Sequence, residues 1–347
     1  MSTNRVMRAV RLEAPGRPFT LRAVAVPEPG PGMVRLRIGA CGICRTELHL
    51  RDGGLDLGCR DFTVGHEIAG IIDALGDGVD PRRLGEKAVV YYYQGCGTCH
   101  HCRMGETHLC PAPLAQPGFT SDGGYAEYIA VPATHAVPLP GDADLAEAAP
   151  LGCAGSTAVH ACRMAGIVPG EWIVVNGAGG VGLAVVQVAR AAGARVVSVG
   201  RGAERLALAR EMGAEAVIDA AHEDVGARIR AVTGEGADVV FELVGTEATM
   251  RIATAALRRK GRLVLIGYTA DSYTVHPVEL IVRELKIMGS VGATLQDLHD
   301  AVTLFSRGLL RMPVARRLAL EEFATGLALT EKGGISGRIV LMPQIAP

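Results

Sequence analysis

From about residue 170 onward, short apolar runs alternate with longer mixed ones. The runs 172–176, 195–199, 216–218, 238–243, 262–266 and 286–290 are rich in Val, Ile and Leu, at the length of buried strands. The intervening stretches 180–192, 203–212, 222–232, 246–258 and 277–285 read as helices, the last opening on Pro277, where a proline is tolerated. Strands alternating with helices predict a parallel sheet covered on both faces. Six such strands suit a doubly wound, dinucleotide-binding fold.

The first half has a different texture. Apolar runs at 7–12, 34–40, 63–74, 89–93 and 123–132 are separated by turn-forming segments, densest in the Pro- and Gly-rich 26–32. Tyr92 should point opposite to Tyr91 and Tyr93 if 89–93 is a strand. An alanine-rich helix is expected over 145–161, with the first domain boundary near it. The segment after 290 mixes both patterns and is expected to rejoin the first domain. The expected organisation is therefore α/β: a β-rich domain from 1–154 and 291–347, and a dinucleotide-binding domain over 155–290.

Composition narrows the function classes. The 347 residues carry a net charge of −1, with acidic and basic residues interspersed. No basic block marks a nucleic-acid or anionic-membrane partner. The most apolar region, 172–199, is broken by five glycines and Arg195, which fits strand–helix–strand rather than a membrane span. No apolar signal core follows Met1–Met7, so a cytoplasmic location is expected. Nine cysteines in such a chain point to metal ligation rather than a disulfide framework.

Four of those cysteines, Cys96, Cys99, Cys102 and Cys110, follow C-x2-C-x2-C-x7-C in a lobe of about 94–112. Four thiolates complete a tetrahedral shell and leave no position for a substrate, the mark of a structural zinc. An iron–sulfur cluster takes the same four ligands. His100, His101 and His108 in the lobe are then surplus and expected to be exposed. A second set is spread along the chain: Cys44 in Cys44-Arg45-Thr46-Glu47-Leu48-His49, His66 in Gly65-His66-Glu67, and Cys153 after Gly152. Two sulfurs and one nitrogen with a fourth position open is the pattern of a catalytic zinc. Thr46 and His49 lie beside Cys44 and can pass a proton. Cys41, Cys59 and Cys162 read as small buried hydrophobes.

Gly177-Ala178-Gly179-Gly180-Val181-Gly182 is G-x-G-x-x-G between an expected strand and an expected helix, the context that gives this motif its meaning. Its amides and the helix N-terminus suit a pyrophosphate. At the end of the second strand stand Gly200 and Arg201, where an acidic residue would bind the ribose 2′-hydroxyl of NAD. Without that carboxylate, and with Arg201 able to pair with a 2′-phosphate, NADP is favoured over NAD. Glu204 is the residue that would restore NAD.

Taken together and in order, these motifs resemble the zinc-dependent medium-chain alcohol dehydrogenases over nearly the whole chain. The resemblance implies a GroES-like catalytic domain joined to a Rossmann domain, with the active site between them. It implies two zinc ions per chain, one on Cys44, His66 and Cys153 and one on Cys96, Cys99, Cys102 and Cys110. It casts Thr46 and His49 as a proton relay, Glu67 as the acid beside the zinc-binding histidine, and Arg45 and Arg338 as pyrophosphate contacts. It also implies a small alcohol or carbonyl substrate and a homo-oligomer, tetramer or dimer. Glu47 departs from the aspartate usual at its place. Two rivals stand beside this reading: a zinc-free NADPH-dependent quinone or enoyl reductase on the same fold, and a non-catalytic zinc- and nucleotide-binding protein.

Overall fold

The structure, a computed structural model, describes residues 5–344. It divides into two compact units. One holds the chain through Cys153, Ala293–Ser306 and the chain from Met312 on; the other holds Ala154–Gly292 and Arg307–Arg311.

The first unit is built on two sheets. In the smaller one Val6–Leu12 pairs antiparallel with Thr20–Ala25 and with Phe62–Thr63. The larger has seven strands. Its spine is Met33–Gly42 against Glu67–Leu75, antiparallel, with two register shifts that bend the pair. Val34, Leu36, Ile38, Ile68, Ile72 and Tyr125 belong to its buried core. The late strands Val314–Ala319 and Arg338–Met342 join this same sheet, the second pairing with Met33–Gly42.

Three early expectations fail here, each for a local reason. The run 63–74 is not one strand. It stops at Thr63 and restarts at Glu67, because Gly65 takes φ +93°. A Cβ there would stand 2.2 Å from the Tyr125 ring, so the kink needs glycine. The run 145–161 is not one helix. Leu145–Ala148 tightens into a 3-10 turn over Ala149–Gly152, and a new helix starts at Ala154. Pro150 lacks the amide a continuous helix would need. Cys153 sits at the joint, with φ −125° and ψ −75°. Strand pairing also ends at Val90. Tyr91–Tyr93 therefore escape alternation, and the Tyr92 and Tyr93 rings lie 4.3 Å apart instead of on opposite faces.

The second unit is the doubly wound domain. Its six strands are all parallel. Across the sheet they run Ala216–Asp219, Arg195–Gly200, Trp172–Asn176, Ala237–Glu242, Leu257–Leu265, Lys286–Gly289. In chain order that is third, second, first, fourth, fifth, sixth, so the topology reverses between the first and fourth strands, where such sheets take their ligands. Ile173, Val174 and Val175 are buried on both faces, as a central parallel strand requires. The helix expected to reach 258 ends at Ala256, because Leu257 already pairs with Ala237.

Candidate active site

Cys44 caps the short helix Arg45–Arg51, and its amide donates to Glu47 Oε2 at 2.8 Å. The other Glu47 oxygen, Oε1, lies 2.7 Å from His66 Nδ1, in ion-pair range but without hydrogen-bond alignment. Glu47 thus touches two of the three expected ligands, and the His66 ring nitrogen it leaves is Nε2. His66 is buried beside the Gly65 kink, its ring 5.2 Å from Tyr92 and 4.7 Å from Phe119. Cys153 arrives from the helix joint. Donor atoms of Cys44, His66, Glu67 and Cys153 all lie within 4.8 Å of one another; Cys44, His66 and Glu67 are buried, and Cys153 is half-buried as a residue with its donor atom in the buried set.

The charges of this cluster are tightly interlinked. The hydrogen bond with Cys153 holds the Cys44 thiol well below its usual range, against burial, and the same bond raises Cys153. Burial pulls His66 down, but the charges of Glu47 and Cys44 outweigh it and raise it well above an ordinary imidazole. Glu67 is raised by burial and opposed by Arg338. Buried sulfur and imidazole converging in this way fit zinc, whose bonds would take the place of the protons these groups otherwise share.

Glu67 is locked in place. Arg338 Nε donates to its Oε2 at 3.0 Å, and Nη2 to its Oε1. Gly42 lies opposite in the register, and a Cβ there would fall 2.0 Å from Glu67 Oε2. The Arg338 guanidinium thus gives two of its five donors to a carboxylate, and Arg45 is exposed. Thr46 Oγ1 lies 3.4 Å from Cys44 Sγ. His49 follows three residues later on the same helix, so the two share a face.

The second cluster brings Cys96, Cys99, Cys102 and Cys110 within the same 4.8 Å limit, half-buried. Backbone amides donate to the sulfurs: Cys96 to Cys110 at 3.3 Å, Cys99 to Cys96 at 3.4 Å, Cys102 to Cys99 at 3.4 Å. Bonds from Thr98 bring Cys96 down to about 5, while burial pushes Cys102 up to about 12. Four thiolates at this spacing need a metal to coexist. His108, expected on the surface, is 8% exposed, with its ring edge toward Tyr93. His101 pairs with Glu106 at 3.0 Å.

In the second unit the glycines divide the labour. Gly177 takes φ +122° as the turn opens. A Cβ on Gly182 would lie 1.9 Å from the Gly177 carbonyl, so Gly182 lets the helix Gly180–Ala191 pack against the strand. A Cβ on Gly179 would meet nothing within 4 Å. Open space above an exposed glycine at a helix N-terminus is where a pyrophosphate fits, with Gly180 and Val181 supplying amides of the first turn. Gly200 packs on the same turn: its Cβ would come 2.8 Å from that of Ala178. Arg201 and Glu204 are both exposed.

Sequence reasoning missed Phe119, which no motif marks, and Glu242. The signal for Glu242 was present: an acidic residue ending the apolar run 238–243.

Comparison with known proteins agrees with this architecture. A family model for the alcohol dehydrogenase GroES-like domain matches residues 30–141, and one for zinc-binding dehydrogenases matches 180–307. An NAD-dependent alcohol dehydrogenase of Sulfurisphaera tokodaii is 35% identical over 97% of this chain and 100% of its own. The crystal structure of an NAD-dependent alcohol dehydrogenase superimposes with a TM-score of 0.91 at 30% identity, covering 97% of this chain and 99% of that one. A zinc-binding dehydrogenase from Sinorhizobium meliloti 1021, solved with NADP, gives 0.90 at 31%, covering 98% and 100%. The chain belongs to the zinc-dependent medium-chain alcohol dehydrogenase family, and is an oxidoreductase that uses zinc and a nicotinamide cofactor. Among the described residues no helix is long and apolar enough to cross a membrane.

Proposed function

We propose that this enzyme oxidises a primary or secondary alcohol to the aldehyde or ketone, reversibly, with two zinc ions per chain. The observation that carries the reading is the buried convergence of Cys44, His66 and Cys153. These three would hold the catalytic zinc, which when bound supplies a Lewis acid for the substrate oxygen. Cys96, Cys99, Cys102 and Cys110 would hold the structural one.

The chain's own part is positioning and proton transfer. Thr46 accepts the hydrogen bond of the alcohol and passes its proton along the helix face to His49. Glu47 orients His66 through Nδ1. Glu67, held by Arg338, sets the charge beside the ligands. In the second unit Gly177, Gly179, Gly180, Val181 and Gly182 cradle the pyrophosphate, and the hydride chemistry belongs to the nicotinamide. Arg45 and Arg338 are the cations offered to the cofactor phosphates; Glu67 takes the Nε and Nη2 donors of Arg338 and leaves its Nη1 donors for a second anion.

NADP is favoured by Gly200 and the exposed Arg201, which leave no carboxylate to repel a 2′-phosphate. Among relatives, those named for or solved with NAD outnumber the one solved with NADP, so the preference rests on the charge argument alone. The nine cysteines form no disulfide, which suits the reducing cytoplasm. A homo-oligomer, dimer or tetramer, is part of the same reading.

A panel of alcohols and aldehydes, followed by NADH and NADPH absorbance, tests it. The expected result is turnover of at least one alcohol–carbonyl pair, faster with NADP. Cys44→Ala should abolish turnover while the dinucleotide still binds. Full activity in that variant without zinc would overturn the assignment.

A further inference from the structure

Glu242 ends the fourth strand of the parallel sheet and is fully buried. Its partners are amides and a hydroxyl rather than a cation. Val244 N donates to Oε1 at 3.1 Å and Gly245 N to Oε2 at 2.8 Å, and Thr249 adds a side-chain bond. Burial raises this carboxyl above the ordinary range, and those three bonds oppose the shift. A buried carboxylate spent on two consecutive turn amides is a costly way to hold a loop unless its position matters.

The turn it holds is packed without slack. Leu243 N donates to Asn176 O at 3.0 Å, the residue before the glycine turn. A Cβ on Gly177 would come 3.1 Å from Leu243 Cβ, one on Gly267 would come 2.3 Å from the Leu243 carbonyl carbon, and one on Gly245 would come 2.5 Å from Tyr268 Cα. Thr269 Oγ1 donates to Gly245 O at 2.7 Å. Three turns, after the first, fourth and fifth strands, are thus pressed together at the carboxyl ends of the sheet. That edge, at the reversal of strand order, is where a dinucleotide lies. The second-strand end serves the adenosine half, so strands four to six serve the other nucleotide. Val244, 40% exposed, crowns the pinned turn.

We propose that Glu242 is the positioning residue for the nicotinamide half of the cofactor: its carboxylate fixes the turn 243–245 against Gly177, so that the turn presents Val244 to the second nucleotide. The proposal rests on the cofactor reading above. It separates from a general structural role because it touches one half of the ligand only.

The test uses the full zinc-loaded chain and calorimetric titration with NADH, NADPH and ADP. Glu242→Gln keeps the shape but turns an NH2 toward one of two N–H donors. We expect the Kd of the tighter dinucleotide to rise about tenfold, with that of ADP unchanged within twofold and the zinc content equal to the parent's. No change for the dinucleotide, or an equal change for ADP, overturns the proposal. Should Glu242→Gln fail to fold, Thr249→Val removes one supporting bond and should move the two ligands apart in the same sense, less far; equal or absent shifts overturn it. A parent chain that binds ADP but neither dinucleotide would overturn the cofactor reading itself, and the proposal with it.

Discussion

Glu47 departs from the aspartate that the family resemblance implies at its place, and its two oxygens serve two different partners. One oxygen accepts from the Cys44 amide while the other reaches His66 Nδ1. A single buried side chain thereby touches two proposed metal ligands 22 positions apart. Outer carboxylates of this kind orient the ligand and raise its basicity. Glu47→Ala should therefore lower the affinity of the proposed zinc site at Cys44, His66 and Cys153 about ten- to a hundredfold, leaving metal at the proposed cysteine-lobe site in place. Competition against a chelator, with metal counted per chain, measures it. Unchanged release kinetics would show that Glu47 only caps its helix. The sequence marked Glu47 as a departure but said nothing of its contacts, because those depend on where a strand kink delivers His66.

At the scale of elements, the glycine turn was legible because its three constraints are local. They also predict different failures. Gly182→Ala puts a methyl group 1.9 Å from the Gly177 carbonyl; helix and strand must separate, and the thermal midpoint should fall markedly. Gly179→Ala meets open space. It should melt like the parent yet bind the dinucleotide about tenfold more weakly, roughly the worth of a strong hydrogen bond. Melting curves and titrations on the two variants distinguish these outcomes. Equal behaviour would remove the separate roles. The elements misread from pattern share a feature: the strand over 63–74 breaks beside His66 and the helix over 145–161 breaks at Cys153. Local rules give way where a donor must be aimed, since a continuous element would carry it on a different heading.

The whole molecule holds two groups of thiols in different surroundings. The lobe cysteines are all half-buried and lie on a surface excursion, whereas Cys44 is buried and Cys153, half-buried as a residue, turns its sulfur into a buried set. A thiol reagent added to the zinc-loaded protein should therefore react first with the lobe and release about one zinc per chain before activity declines. Metal release followed alongside turnover checks this. Simultaneous loss of both would mean that the two sites open together. The first unit is also assembled from distant segments: Arg338, on a strand near the end of the chain, pairs with Glu67 and so completes the surroundings of residues from its first half.

The sequence by itself determined the doubly wound sheet, its strand count and the glycine turn. It also marked a four-cysteine set and a set of two cysteines and one histidine. The sheet, the turn and the four-cysteine lobe rest on periodicity and spacing, which are properties of neighbouring residues; Cys44, His66 and Cys153 were marked by ligand type alone. Tertiary structure decided what depends on residues far apart. It brought donor atoms of Cys44, His66 and Cys153 to within 4.8 Å of one another, paired Arg338 with Glu67, and buried His108. It also spent Glu242 on a turn. The physical reason is that burial sets which charges must be paired, and only the packed chain shows which partners are within reach.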